Sequence, residues 1–252
     1  MVTKSRRPSV IKEQGKQEAR AKSLASTSRR LKADAATDPW ARSTLERRTD
    51  FIAPRKKFLL VCEGEKTEPL YFESFKPVCR NPIALEVLEG EGDPLSVVET
   101  VIQYKQDYPE EFDEVWVIFD HDSFDKGKLH TAFDKAKGAD INIAFTNEAF
   151  ELWFILHYEL IVTGMSRTAY QKKLSSLLDK EYEKNDKNMF GILRPKLFQA
   201  MQHASLLGKG IPKYSHEAID TNPFTGVHHL VYALLEKEEG EELENILSKY
   251  QE

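Results

Sequence analysis

With 252 residues, 40% of them hydrophobic, the chain is long enough to bury a sizeable core, as one α/β domain with a helical extension or as two small domains. Its two cysteines, Cys62 and Cys79, are too few for a disulfide-stapled scaffold and lack the spacing of a zinc site, so a reducing, cytoplasmic setting is expected. No run approaches the roughly 20 apolar residues of a membrane span and no apolar signal segment follows the first residues, so a soluble, unexported protein without a membrane partner is expected.

The net charge of −5 conceals an asymmetry. Residues 1–57 carry 16 Lys/Arg against 6 Asp/Glu, and the rest of the chain carries 20 against 35, which makes a basic arm on an acidic body. Residues 1–54 are rich in Lys, Arg, Ser, Ala and Gln, with almost no large apolar side chain before Trp40. That composition fits a solvated, disordered arm, one that can also attract phosphate.

From Arg55 the pattern turns to alternating strands and helices. Phe58–Cys62 is a short continuous apolar run, suited to a strand buried on both faces, in which Cys62 reads as a small hydrophobe. Thr67 is expected to cap a helix carrying Leu70, Tyr71 and Phe75. Residues 83–88 predict a second strand. Asp93 and Pro94 make a good N-cap and first helical residue for a helix running to about Tyr108. The preceding Gly90-Glu91-Gly92 lacks the Gly-Lys-Ser/Thr ending of a phosphate-binding loop. Residues 115–119 predict a third strand, 126–137 a helix and 141–145 a fourth strand. Such alternation implies parallel pairing through right-handed crossovers, hence an open α/β sheet over residues 55–146 with helices on both faces. Beyond it, residues 147–252 read as helical: an apolar helix over 147–162, then helices at about 167–182, 193–206 and 226–249, broken by Pro195, Pro212 and Pro223.

Ligands of open parallel sheets bind beyond the carboxyl ends of the strands. Glu63 follows the first strand, and Asp120 and Asp122 follow the third. In an extended segment a spacing of two turns both aspartates to one side, with His121 facing away. Three carboxylates brought together repel strongly unless a cation joins them, and hard oxygen ligands in an open arrangement suit Mg²⁺ or Mn²⁺. Acidic residues after strands also cap helices and solvate loops, so the inference rests on the set and on no single residue. Lys66 is a candidate to neutralise transition-state charge, or else a solvated side chain. Lys184, Lys187, Arg194, Lys196, Lys209 and Lys213 could track a phosphate backbone or simply solvate the helical extension.

Taken as a set, Glu63-Gly64 with Thr67-Glu68 and Tyr71-Phe72, Gly92-Asp93-Pro94, Asp120-x-Asp122, Glu148 with Phe150 to Trp153, and Asn222-Pro223 resemble the RloB family. That family is an accessory group of prokaryotic restriction and abortive-infection loci, regarded as having a Toprim-like domain and often encoded beside an ABC-type ATPase. The resemblance covers about residues 55–240. It implies a Toprim-like open parallel sheet flanked by helices, with a C-terminal helical extension. It further implies a general acid or base at Glu63 and a metal-binding pair at Asp120 and Asp122. Toprim nucleases of the overcoming-lysogenization-defect type use additional carboxylates for a second metal. Glu148 and Glu151, three apart on one helical face, are the candidates here, although Glu148 in a first turn also suits the helix dipole.

The implied activity is phosphodiester hydrolysis with one or two Mg²⁺ or Mn²⁺ ions, about 3.5 to 4 Å apart if there are two. Glu63 is then either base or ligand. The implied partners are nucleic acid, as DNA or RNA including transfer RNA, and an ABC-type ATPase, with a homo-oligomer left open. Two other readings stand beside it. Phe119-Asp120-His121-Asp122-Ser123 resembles the signature of a haloacid-dehalogenase-like phosphatase with Asp120 as nucleophile, but without the usual Gly and with no role for Glu63. The other is a non-catalytic regulatory partner of an ATPase.

Overall fold

The computed structural model describes residues 56–79, 83–87, 93–122 and 124–236. The basic arm, the Gly90-Glu91-Gly92 turn, Ser123 and the end of the expected last helix lie outside the described residues. The chain runs β1 (Phe58–Cys62), α1 (Thr67–Phe75), a 3-10 turn (Lys76–Val78), β2 (Ile83–Val87), α2 (Pro94–Asp107), β3 (Glu114–Asp120), α3 (Lys126–Gly138) and β4 (Asn142–Asn147). It continues through α4 (Glu151–Leu156), α5 (Arg167–Leu178), α6 (Met189–Leu193), a 3-10 turn (Arg194–Lys196), α7 (Leu197–Leu207), α8 (Glu217–Asp220), β5 (Phe224–Thr225) and α9 (Val227–Leu234).

The strands form one sheet in the order β2-β1-β3-β4-β5, parallel except that β5 runs antiparallel to β4. This is the expected class, an open and mostly parallel sheet flanked by helices, consistent with a Toprim-like arrangement. β1, β3 and β4 are buried on both faces but for the first residues of β3 and β4, which is why β1 and β3 read as continuous apolar runs. Alternate residues feed two cores. Phe58, Leu60, Cys62, Trp116 and Ile118 meet α1 and the later helices α4 to α7 and α9, whereas Leu59, Val61, Val117, Phe119 and Phe145 meet α2, α3 and α8.

This division follows from the connections. The unit β1–α1–β2 steps one way along the sheet and β3–α3–β4 steps the other, so crossovers of one hand put α1 and α3 on opposite faces. The strand order therefore reverses between β1 and β3. There the carboxyl ends of two adjacent parallel strands open away from each other's connections, the usual place for a ligand crevice.

Several expectations are corrected. Thr67 is the first helical residue and not the cap; Lys66 holds the cap position without a side-chain hydrogen bond. Asp93 does cap α2, accepting from the Ser96 amide at 3.1 Å, with Pro94 first in the helix. The expected helix over 147–162 is only Glu151–Leu156, because apolar residues all round show burial but not where a helix stops. Pro195 splits the expected 193–206 helix into a 3-10 turn and α7. Finally, the extension is not purely helical: Phe224–Thr225 adds an antiparallel strand to β4, and the Thr225 and Thr146 hydroxyls meet at 3.0 Å in the buried interior. Among the described residues no helix is long and apolar enough to cross a membrane.

Candidate functional site

At the reversal between β1 and β3 lies an open cleft of about 390 Å³, lined by Glu63, Lys66, Glu68, Asp120, Glu151, Arg167 and their neighbours. The parallel pairing of β1 with β3 continues one residue past the strand, since the Glu63 amide donates to the Ile118 carbonyl at 3.1 Å. That bond fixes Glu63 beside the end of β3. Burial first, then the negative charges of Glu68, Asp122 and Asp93, push the Glu63 carboxyl up to about 8, against a lowering influence from Arg167.

Asp120 is the last residue of β3, in register with Thr146. It is 8% exposed. Its Oδ2 accepts from the Phe150 amide at 3.1 Å and from Arg167 Nη2 at 3.4 Å, whereas its Oδ1 is buried with no hydrogen-bond partner. Burial above all, and then Glu68 and Glu151, raise this carboxyl well above the usual carboxylate range. Asp122 is not in an extended segment: its φ of 42° is left-handed, and its amide donates to the Glu148 carbonyl at 3.3 Å. The alternation argument that paired it with Asp120 therefore does not apply, yet both carboxylates converge on Arg167 Nη2, each at 3.4 Å. His121 turns to the other side, its ring near Phe145 and its Nδ1 2.9 Å from the Asp122 carbonyl oxygen.

The second-tier candidates separate. Glu151, 2% exposed and first in α4, lines the cleft and accepts from Gln171 Nε2 at 3.0 Å. Glu148 is half-buried and is not among the residues lining the cleft; its backbone carbonyl is what it contributes, to the Asp122 turn. Lys66 lines the cleft from the start of α1 and is exposed. The basic residues of the extension do not form one track. Lys184 reaches the cleft, but Lys196 lies over the Tyr158 ring at 3.9 Å, and Lys213 bonds Asn142 at the opposite end of the sheet.

Two residues that sequence reasoning passed over belong to the site. Glu68 sits in the first turn of α1, where an acid is ordinarily explained by the helix dipole, but it is 8% exposed and lines the cleft. Burial, with Glu151 adding to it, raises its carboxyl. A Cβ on Gly64 would stand 2.9 Å from Glu68 Oε2, so glycine leaves the room in which that carboxylate folds back over the loop. Arg167 opens α5 just after the capping Ser166. A cation in a first turn opposes the helix dipole, and that was the available signal that something else holds it there.

Among the described residues, no three acidic, histidine or cysteine side chains stand together as a ready-made metal cage. In kind, however, the donors fit a hard divalent cation: several carboxylates face one cleft, and one of them keeps a buried oxygen without a partner. The guanidinium of Arg167 stands where their charges converge.

A sequence model of the family described as RloB-like protein matches residues 58–234. No curated protein and no solved structure matches the chain.

Proposed function

The chain belongs to the RloB-like protein family, and from that premise we propose that it is a divalent-metal-dependent nuclease hydrolysing phosphodiester bonds of DNA or RNA. The observation that carries this reading is the buried, unpartnered Oδ1 of Asp120, a residue that lines one cleft with Glu63, Glu68 and Glu151 at the reversal of strand order. A carboxylate oxygen removed from water without a donor is costly, and a cation is the partner that would satisfy it together with oxygens of the neighbouring carboxylates.

In this reading Asp120, Asp122, Glu68 and Glu151 hold Mg²⁺ or Mn²⁺, as one ion or two, and Glu63 is either a further ligand or the proton carrier. A divalent ion held by these residues would supply positive charge for the scissile phosphate and the leaving oxygen and would make water a better nucleophile. Of the chain's own groups, Glu63 has a carboxyl that exchanges its proton near neutral pH in the metal-free protein, which suits general acid–base work on the attacking water or the leaving oxygen. Lys66 and Lys184 supply positive charge at the cleft for a phosphate backbone.

The haloacid-dehalogenase-like alternative has no use for Glu63, Glu68 and Glu151, which line the same cleft as Asp120. On the family resemblance we also propose an ABC-type ATPase partner and a role in anti-phage abortive-infection defence. The deciding assay incubates DNA and RNA with the full chain and Mn²⁺ or Mg²⁺, and sequences the ends produced. Cleavage should vanish in EDTA and fall about 100-fold or more in Glu63→Gln and in Asp120→Asn. Cleavage indifferent to EDTA and to both substitutions would overturn the proposal.

A further inference from the structure

Arg167 is joined to the aspartates in an unusual way. A guanidinium built as a permanent structural clamp normally grips a carboxylate with two parallel N–H bonds near 2.8 Å. Here a single nitrogen, Nη2, stands 3.4 Å from both Asp120 Oδ2 and Asp122 Oδ1, while the buried Nε has no acceptor. The contact is therefore loose and bridging, one positive centre between two carboxylates. Beside it, Asp120 Oδ1 is buried and without a partner, and acidic residues outnumber basic ones in the cleft lining, five to three.

We propose that Arg167 is a tethered counter-ion that the site exchanges for a divalent cation: it holds Asp120 and Asp122 together in the metal-free protein and gives them up when the metal enters. The inference rests on the reading of this cleft as a metal site. Once both aspartates are ionised, as metal binding requires, their charges repel unless a cation lies between them, and Arg167 supplies that cation from an element outside the sheet. Both cations cannot occupy the space between the two carboxylates at once, so metal and guanidinium compete. The displaced guanidinium remains anchored at the cleft by α5, and a phosphate-bearing substrate meets it only in the metal-loaded protein. The residue thus keeps the empty site from repelling itself apart and adds positive charge when the metal arrives.

The test titrates Mn²⁺ into the full, EDTA-stripped chain and follows free Mn²⁺ by electron paramagnetic resonance, with thermal unfolding measured in parallel. Arg167→Gln should bind Mn²⁺ about fivefold or more tightly than wild type. It should also melt lower than wild type in EDTA, with the gap closing at saturating Mn²⁺. Arg167→Lys keeps the charge at a similar reach and should stay within about twofold of wild type. It also serves where the glutamine variant does not fold. Equal or weaker Mn²⁺ binding by Arg167→Gln, with wild-type binding intact, overturns the exchange and leaves the metal site standing; so does a lysine variant that binds as tightly as the glutamine one. Absence of Mn²⁺ binding in wild type and variants alike sinks the metal reading itself, and the exchange with it.

Discussion

Glu63 retains its proton to about pH 8 in the metal-free protein because it is largely buried and faces other carboxylates. In the unfolded chain the same group ionises near its ordinary value, so between the two the folded state binds the extra proton. The stability that this proton contributes is therefore fully present below about pH 4.5 and is lost as pH rises through about 8. Melting temperatures recorded in EDTA across that window should fall with pH for wild type and fall less for Glu63→Gln; parallel curves would remove the group from the balance. Gly64 offers a second test at this scale. An added methyl meets the free end of the Glu68 side chain, so Gly64→Ala should push the carboxylate aside with little strain elsewhere. Activity or Mn²⁺ affinity should drop about 10–100-fold, as for residues that orient a ligand, with the melting temperature nearly unchanged. A variant as active as wild type would mean that the carboxylate has no set position to lose. Glu68 itself was written in the sequence, but its position in a first turn already had an adequate explanation, and only its burial makes it unusual. Arg167 was harder to see, because nothing local to α5 requires it; its reason for being there lies across the cleft.

At the scale of elements, β1, β3 and β4 were legible because a strand covered on both faces is apolar along its middle, and runs of three to five such residues between polar breaks leave little choice. Their order in the sheet was not, since β2 and β3 both flank β1 and the apolar runs say nothing about which neighbour a strand takes. β5 escaped notice for a different reason: two residues pairing at an edge carry no periodicity. The cap of α2 was the clearest local signal, and it does more than start a helix. Asp93 also accepts from Lys128 Nζ of α3 at 3.1 Å, tying the two helices that cover one face. Asp93→Ala should cost about 1 kcal/mol in urea denaturation, mainly through the lost cap, while Asp93→Asn should recover most of it. A loss confined to the ion pair would show the reverse, with both variants equally weakened.

Over the whole molecule, the extension and the sheet share one interior. Leu152, Trp153 and Ile155 of α4, and Leu230 and Val231 of α9, lie in the same cluster as Phe58, Leu60 and Ile118 of the strands. Unfolding of the described region should therefore be one cooperative event, with tryptophan fluorescence and far-UV circular dichroism giving coincident transitions. Leu230→Ala should shift both together by about 2–5 kcal/mol. Two separated transitions would show instead that the extension melts alone. The break between sheet and extension expected near residue 146 marks a change in sequence character and not a gap in the packing.

The carboxylates and their counter-ion also arrive in a definite order along the chain: Glu63 and Glu68 first, then Asp120, then Glu151, and Arg167 and Lys184 last. A ribosome that has delivered only the β1–β4 portion has made acidic groups but neither the α4 wall of the cleft nor the arginine that tempers it. The cleft is therefore assembled from distant parts of the described region, and its lining is complete only once residues as late as Lys184 have been made.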